Sequence, residues 1–149
     1  MKLHRYEHID NKKFYNEMLS RTDSSVVTKY MGECFINIGV GLSHRKNFQR
    51  YTYRDEMILD GIEDCVRYVH RFDTSKTNPH AYFSKVFERA FLRRIDKEKK
   101  QDYIKRKLKM AYLEFHHPDV EWVVEYEEKD QAKRNLNESK SKKNLLRFI

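Results

Sequence analysis

The stretch Asn78-Pro79-His80-Ala81-Tyr82-Phe83-Ser84-Lys85-Val86-Phe87-Glu88-Arg89-Ala90-Phe91-Leu92-Arg93-Arg94-Ile95 decides the fold. Tyr82, Phe83, Val86, Phe87, Ala90, Phe91 and Ile95 recur at the three- and four-residue spacing that lines one side of an α-helix. Asn78 is a side-chain cap, and Pro79 follows at the first helical position, where its missing amide hydrogen costs nothing. No Gly or Pro intervenes before Pro118. The helix is therefore expected to run to about Phe115, roughly 55 Å at about 1.5 Å per residue.

Upstream the same periodicity repeats. Val27, Met31, Cys34, Phe35, Ile38 and Leu42 form one stripe, which predicts a helix over residues 26–46 capped by Ser24 or Ser25. Gly32, Gly39 and Gly41 weaken it by about 1 kcal/mol each against Ala, unless their small size admits a close helix neighbour. Thr52-Tyr53-Arg54-Asp55 matches a capping box and opens a helix to about Arg71, with Ile58, Ile62, Cys65, Val66 and Val69 as its buried stripe and Glu56, Asp60, Glu63 and Asp64 on its other faces. A shorter helix is expected over residues 11–19. The chain has 149 residues with only 4 Gly and 2 Pro, against 36% charged residues, which favours helix over strand throughout. The expectation is an all-α helical bundle with a long basic helix and a C-terminal tail. It divides into an N-terminal segment (1–25), a helical domain (26–115) and a basic tail with an apolar tip (116–149).

Charge points to partners. The net charge is +8, and residues 93–109 hold nine Lys/Arg against three Asp/Glu. Nucleic acid is the usual partner of such a surface, with an acidic protein or an anionic membrane as the alternative. Tyr82, Phe83, Phe87 and Phe91 interleave with Lys85, Arg89, Arg93 and Arg94, the combination that single-stranded DNA binding requires. An ordinary amphipathic helix gives the same spacing, and Phe83, Phe87 and Phe91 suit a core better than a DNA face; Tyr82 is the better base contact. The acidic helix, inside a basic chain, has an exposed face suited to a different partner. His116-His117-Pro118-Asp119 has neither a thiolate nor the His-x3-His spacing of a helical zinc site, so no metal is expected. There is no phosphate-binding Gly-rich loop and no nucleophile elbow, so no catalytic residues and no cofactor are expected. Cys34 and Cys65 fall on apolar faces as free buried thiols. Charge interrupts residues 1–16 throughout and no apolar run nears the ~20 residues of a membrane span, so an intracellular protein without membrane contact is expected.

Several ordered motifs carry a resemblance. Glu56-Met57-Ile58-Leu59-Asp60-Gly61-Ile62 through Phe72-Asp73, followed by Pro79-His80-Ala81-Tyr82 through Arg93-Arg94-Ile95, resembles region 2 of bacterial sigma factors. Leu42-Ser43-His44-Arg45-Lys46-Asn47-Phe48, Asp60-Gly61-Ile62-Glu63 and Asn78-Pro79-His80-Ala81-Tyr82 are similar to the late-transcription sigma factors of T-even-type bacteriophages. The match spans about residues 34–100.

The resemblance implies a transcription initiation factor acting in the cytoplasm of a host bacterium. It implies that Glu56, Leu59, Asp60 and Glu63 contact core RNA polymerase. Phe72 and Tyr82 would flank a flipped adenine of the minus-ten element. Arg67 and Arg71 would hold non-template-strand phosphates, and Lys85, Arg89, Leu92 and Arg93 would lie along the promoter DNA. Primary sigma factors carry two adjacent Trp where this chain has Lys85 and Val86, and its link from Phe72 to Pro79 is shorter, which implies weaker autonomous melting. The late family also tethers its C-terminus to a DNA sliding clamp and works with a co-activator; Leu145, Leu146, Phe148 and Ile149 are similar in kind to such a plug. Three rival readings stay open: a general DNA-binding accessory protein, a polymerase-binding regulator without promoter readout and, as a distant third, a metal-dependent nuclease.

Overall fold

A computed structural model describes residues 8–116 together with Lys129 and Ala132. The described elements are helical: α1 (Asn11–Leu19), α2 (Lys29–Ser43), α3 (Arg54–Tyr68), a 3-10 turn (Val69–Arg71) and α4 (Pro79–His116). The chain forms two compact units, Met1–Lys99 and Lys100–Ile149.

Local chemistry sets the helix starts. Asp10 Oδ1 accepts from the Lys12 and Lys13 amides at 2.9 and 3.3 Å and opens α1. Asn78 Oδ1 accepts from the Ala81 amide at 3.0 Å and opens α4, with Pro79 first, as its sequence requires. Two caps differ from expectation. α2 starts at Lys29 and is capped by Thr28, whose hydroxyl accepts from the Met31 amide at 3.3 Å, so Ser24 and Ser25 lie in the preceding loop. The Arg21 guanidinium holds that loop by donating to the carbonyls of Met18, Ser24 and Val26, which fixes residues 24–26 outside the helix. At α3 the cap residue is Tyr53 and makes no side-chain cap bond, so the Thr52 capping box does not form. Asp55 and Glu56 in the first turn offset the helix dipole there instead.

The core of the first unit is aromatic. Phe14 of α1, Phe35 of α2 and Phe83 of α4 meet with ring centroids 4.7 to 6.1 Å apart, and all three are fully buried. Phe87 and Phe91 continue this face of α4, with Phe48 edge-on to Phe91. The Phe87 ring fills a gap left by two glycines. A Cβ at Gly39 of α2 would stand 2.6 Å from its Cε1, and one at Gly61 of α3 would stand closer still. Both glycines thus serve the close approach of three helices. Cys34 and Cys65 are buried free thiols, and burial pushes both above their ordinary pKa.

Two features of this packing depart from the sequence reading. Residues 8–25 are not separate from the domain, because Phe14 and Met18 belong to the same core as α2 to α4. The buried face of α3 is also rotated from the expected stripe. Met57, Ile58, Gly61, Asp64 and Cys65 are buried, Ile62 is half-buried, and Val66 is exposed. Gly61 must face Phe87, and Asp64 has a cationic partner on α4, so together they outweigh the gain from burying Val66.

Candidate nucleic-acid and partner interface

Two candidate faces emerge in the first unit. The first is built at the start of α4. Asn11 Nδ2 donates to the Thr77 carbonyl at 3.2 Å, its Oδ1 accepts from the His80 amide at 3.2 Å, and the Tyr15 hydroxyl donates to the Thr74 carbonyl at 2.8 Å. α1 therefore holds both the connection after the 3-10 turn and the first turn of α4. Neither Asn11 nor Tyr15 stood out in the sequence, because a side chain that fixes a loop 60 residues away leaves no periodic signal.

On this support stands Tyr82, half-buried, its ring 5.3 Å from Phe72 and 5.0 Å from Phe83, both edge-on. Burial raises the Tyr82 hydroxyl above its ordinary pKa, while the positive charges of Arg71 and Arg89 pull it back, so both cations lie within electrostatic reach of the ring. Of the predicted residues, Phe72 and Tyr82 are in ring contact, Arg71 and Arg89 act on Tyr82 through charge, and the Arg71 guanidinium sits over the Tyr68 ring at 5.0 Å. Phe72 is buried in the core, stacked on Phe83 at 6.1 Å; it backs Tyr82 and presents no open ring face. A half-buried, hydroxyl-bearing ring in the field of two guanidinium groups has the chemistry to stack a base near cations that attract phosphates.

The second face is on α3. At about 100° per residue, Glu56, Leu59, Glu63 and Val66 share one side of the helix. Leu59 is 57% exposed and Val66 47% exposed. Asp60 and Asp64, on the flank next to this face, are engaged within the fold. Asp60 receives Arg94 of α4 through two bonds of 2.6 and 2.7 Å, the forked geometry that makes Arg–carboxylate pairs strong. Asp64, with a side chain only 6% exposed, receives Arg93 at 2.5 Å and has Arg67 3.7 Å away. Bonding to Asp64 raises the pKa of Arg93, and bonding to Asp60 raises that of Arg94.

These pairs alter how several predicted residues stand. Asp60 points to Arg94 and away from the Leu59 face. Arg93 and Arg67 are joined to α3 acids, Arg67 also to Glu63. Lys85 bonds Glu88 at 3.0 Å, and Glu88 also receives Arg45 at 3.3 Å. Leu92 is exposed on α4. The cross-helix pairs escaped sequence reading because their partners lie about 30 residues apart and meet only once α3 and α4 pack.

Leu145, Leu146, Phe148 and Ile149 lie outside the described residues, as do His117 and Asp119. Among the described residues no group of three or more His, Cys, Asp or Glu side chains is placed to hold a metal, and no helix is long and apolar enough to cross a membrane. No protein-family model matches this sequence, and no curated protein matches it significantly.

Proposed function

We propose that this chain is a transcription initiation factor of the sigma region 2 kind, one that binds core RNA polymerase and brings it to a minus-ten-type late promoter. The observation that carries the reading is the exposed α3 face. Leu59 and Val66 stand in water beside Glu56 and the Arg67-paired Glu63, while Asp60 and Asp64 are spent on holding α4. An apolar pair bordered on one side by acids suits a basic amphipathic protein surface better than DNA. The grouping of Tyr82, Arg71 and Arg89 supports contact with the non-template strand.

In this reading Glu56, Leu59 and Glu63 meet the polymerase, and Asp60 positions them by fixing α3 on α4. Tyr82 stacks the extruded base and Phe72 forms the wall behind it. Arg71, Lys85 and Arg89 follow phosphates, with Leu92 beside them. Arg67 and Arg93 hold α3 and keep their remaining exposed edges for the DNA. Base extrusion costs a few kcal/mol, which stacking offsets. The C-terminal tip engages a sliding clamp with a co-activator, and the protein acts in the host bacterial cytoplasm.

Run-off transcription with core polymerase on a TA-rich minus-ten template tests the proposal. Initiation at the correct start is expected, and Leu59→Asp should abolish polymerase capture without unfolding the chain. A wild-type chain that captures polymerase but yields no transcript would favour a second reading, a polymerase-binding regulator without base readout, for which the burial of Phe72 speaks. A chain that captures no polymerase rejects both.

A further inference from the structure

The C-terminal half of α4, within the second unit, has two opposed sides. Met110 is 6% exposed and stands apart from the main core cluster, so its side is covered. Half a turn away the helix is open. Leu108 is 66% exposed and Phe115 83%, with Ile104 and Tyr112 exposed beside them. Ile104, Leu108, Ala111 and Phe115 follow a four-three-four spacing, the seam by which one helix packs along another. The His116 ring stacks on Tyr112 at 4.0 Å and lies edge-on to Phe115 at 5.1 Å, giving the seam an aromatic end.

Charge decides what fits the seam. At about 100° per residue Lys100 and Lys107 border it on one side, with Glu114 beside its Phe115 end, and Lys105 borders it on the other, so the border is mostly basic. Asp102 lies off the seam and is bonded to Arg106. A second copy packed in parallel would set Lys100 against Lys105. DNA would use the lysines but leave Leu108 and Phe115 in water. A helix with an apolar stripe and acidic borders uses both features.

We infer that the Ile104–Leu108–Ala111–Phe115 seam of α4 is a docking site for an acidic amphipathic helix of a partner protein. Its apolar stripe lies on Leu108 and Phe115, and its bordering carboxylates face Lys100 and Lys105. The site is on a different element from the α3 face and stands whether or not the chain proves to be an initiation factor.

The test uses the full chain and two labelled synthetic helical peptides about three heptads long, with Leu along the seam and either Glu or Lys at the bordering positions. Fluorescence anisotropy should show saturable binding of the Glu peptide and none of the Lys peptide. Leu108→Glu should weaken binding about tenfold or more, because it places a charge in the desolvated stripe. Lys100→Glu with Lys105→Glu should do the same and transfer preference to the Lys peptide. All three positions are exposed, so far-ultraviolet circular dichroism should remain unchanged. Equal binding of the two peptides, or indifference to Leu108→Glu, overturns the inference. Binding of duplex DNA without binding of the Glu peptide overturns it in favour of a nucleic-acid face, and a concentration-dependent dimer in sedimentation overturns it in favour of self-association.

Discussion

Replacing Gly61 by Ala adds one methyl group to the middle of α3, and two opposing terms set its effect. In a helix interior Ala is favoured over Gly by about 1 kcal/mol, so an isolated helix would gain. Here the new Cβ would lie closer than 3.0 Å to Cδ1 and Cε1 of Phe87 and 3.1 Å from its Cγ, where carbon contacts prefer about 3.5–4.0 Å. The ring has nowhere to retreat. It is fully buried, and the same Cε1 already stands 2.6 Å from where a Cβ on Gly39 would be. Relief requires α3 and α4 to separate, which strains the Asp60–Arg94 and Asp64–Arg93 bonds. Overpacking of this kind costs typically 1–3 kcal/mol and more where the neighbours are rigid. With the cost at the upper end, the net destabilisation is about 2 kcal/mol, or about 10 °C in Tm for a domain near 100 residues. Gly32→Ala is the control: a Cβ there meets nothing within 4 Å, so the variant should gain about 0.5–1 kcal/mol. Urea unfolding followed at 222 nm measures both. In a Phe87→Leu background the penalty of Gly61→Ala should shrink by about 1 kcal/mol or more, which a double-mutant cycle reads directly. A Gly61→Ala protein as stable as Gly32→Ala would refute the claim that Phe87 is wedged between two glycines.

Three further outcomes are expected. Tyr82→Ala should reduce promoter opening, scored by permanganate reactivity of unpaired thymines, while polymerase capture persists; loss of capture would remove Tyr82 from a DNA role. Arg93→Ala should destabilise the chain by about 1–3 kcal/mol, because it takes the closest cation from the buried Asp64 carboxylate, a cost limited by the exposure of Arg93 and the nearby Arg67; thermal melts indistinguishable from wild type would show the pair to be idle. His80 has its pKa depressed from 6.5 by burial first, then by the charges of Arg45 and His8. The folded state therefore prefers the neutral ring, and its contribution is complete above pH 6.5 and is lost as pH falls through the lower folded value. Stability should decline below about pH 6.5 in wild type, and His80→Gln should flatten that slope. An unchanged slope would place the pH dependence elsewhere.

Much of the fold was legible locally. The bounds of α1, the cap and proline that open α4, its uninterrupted length, and the burial of Phe83, Phe87 and Phe91 all follow from spacing and backbone chemistry within one turn or two. The failures share one cause. Thr28 displaces Ser24 and Ser25 because Arg21 ties down their loop, and Val66 faces water because Gly61 and Asp64 turn α3 the other way. Both are settled by residues far away in the chain.

The candidate site divides along the same line. Sequence alone marked an acidic helix followed by an aromatic, basic one, and it singled out Tyr82 and Arg89, because residue type and order are local properties; Arg71 stood out only through the resemblance to sigma factors. Sequence could not say which charges are spent inside the fold. Asp60, Asp64, Glu63 and Glu56 are alike as letters on one helix, and Arg89, Arg93 and Arg94 are alike on the next. Only the packing of α3 on α4 around Phe87 commits Asp60 to Arg94 and Asp64 to Arg93 and leaves Leu59 and Val66 in water. A charge acts over a few ångströms, and which charges come that close is decided by tertiary structure.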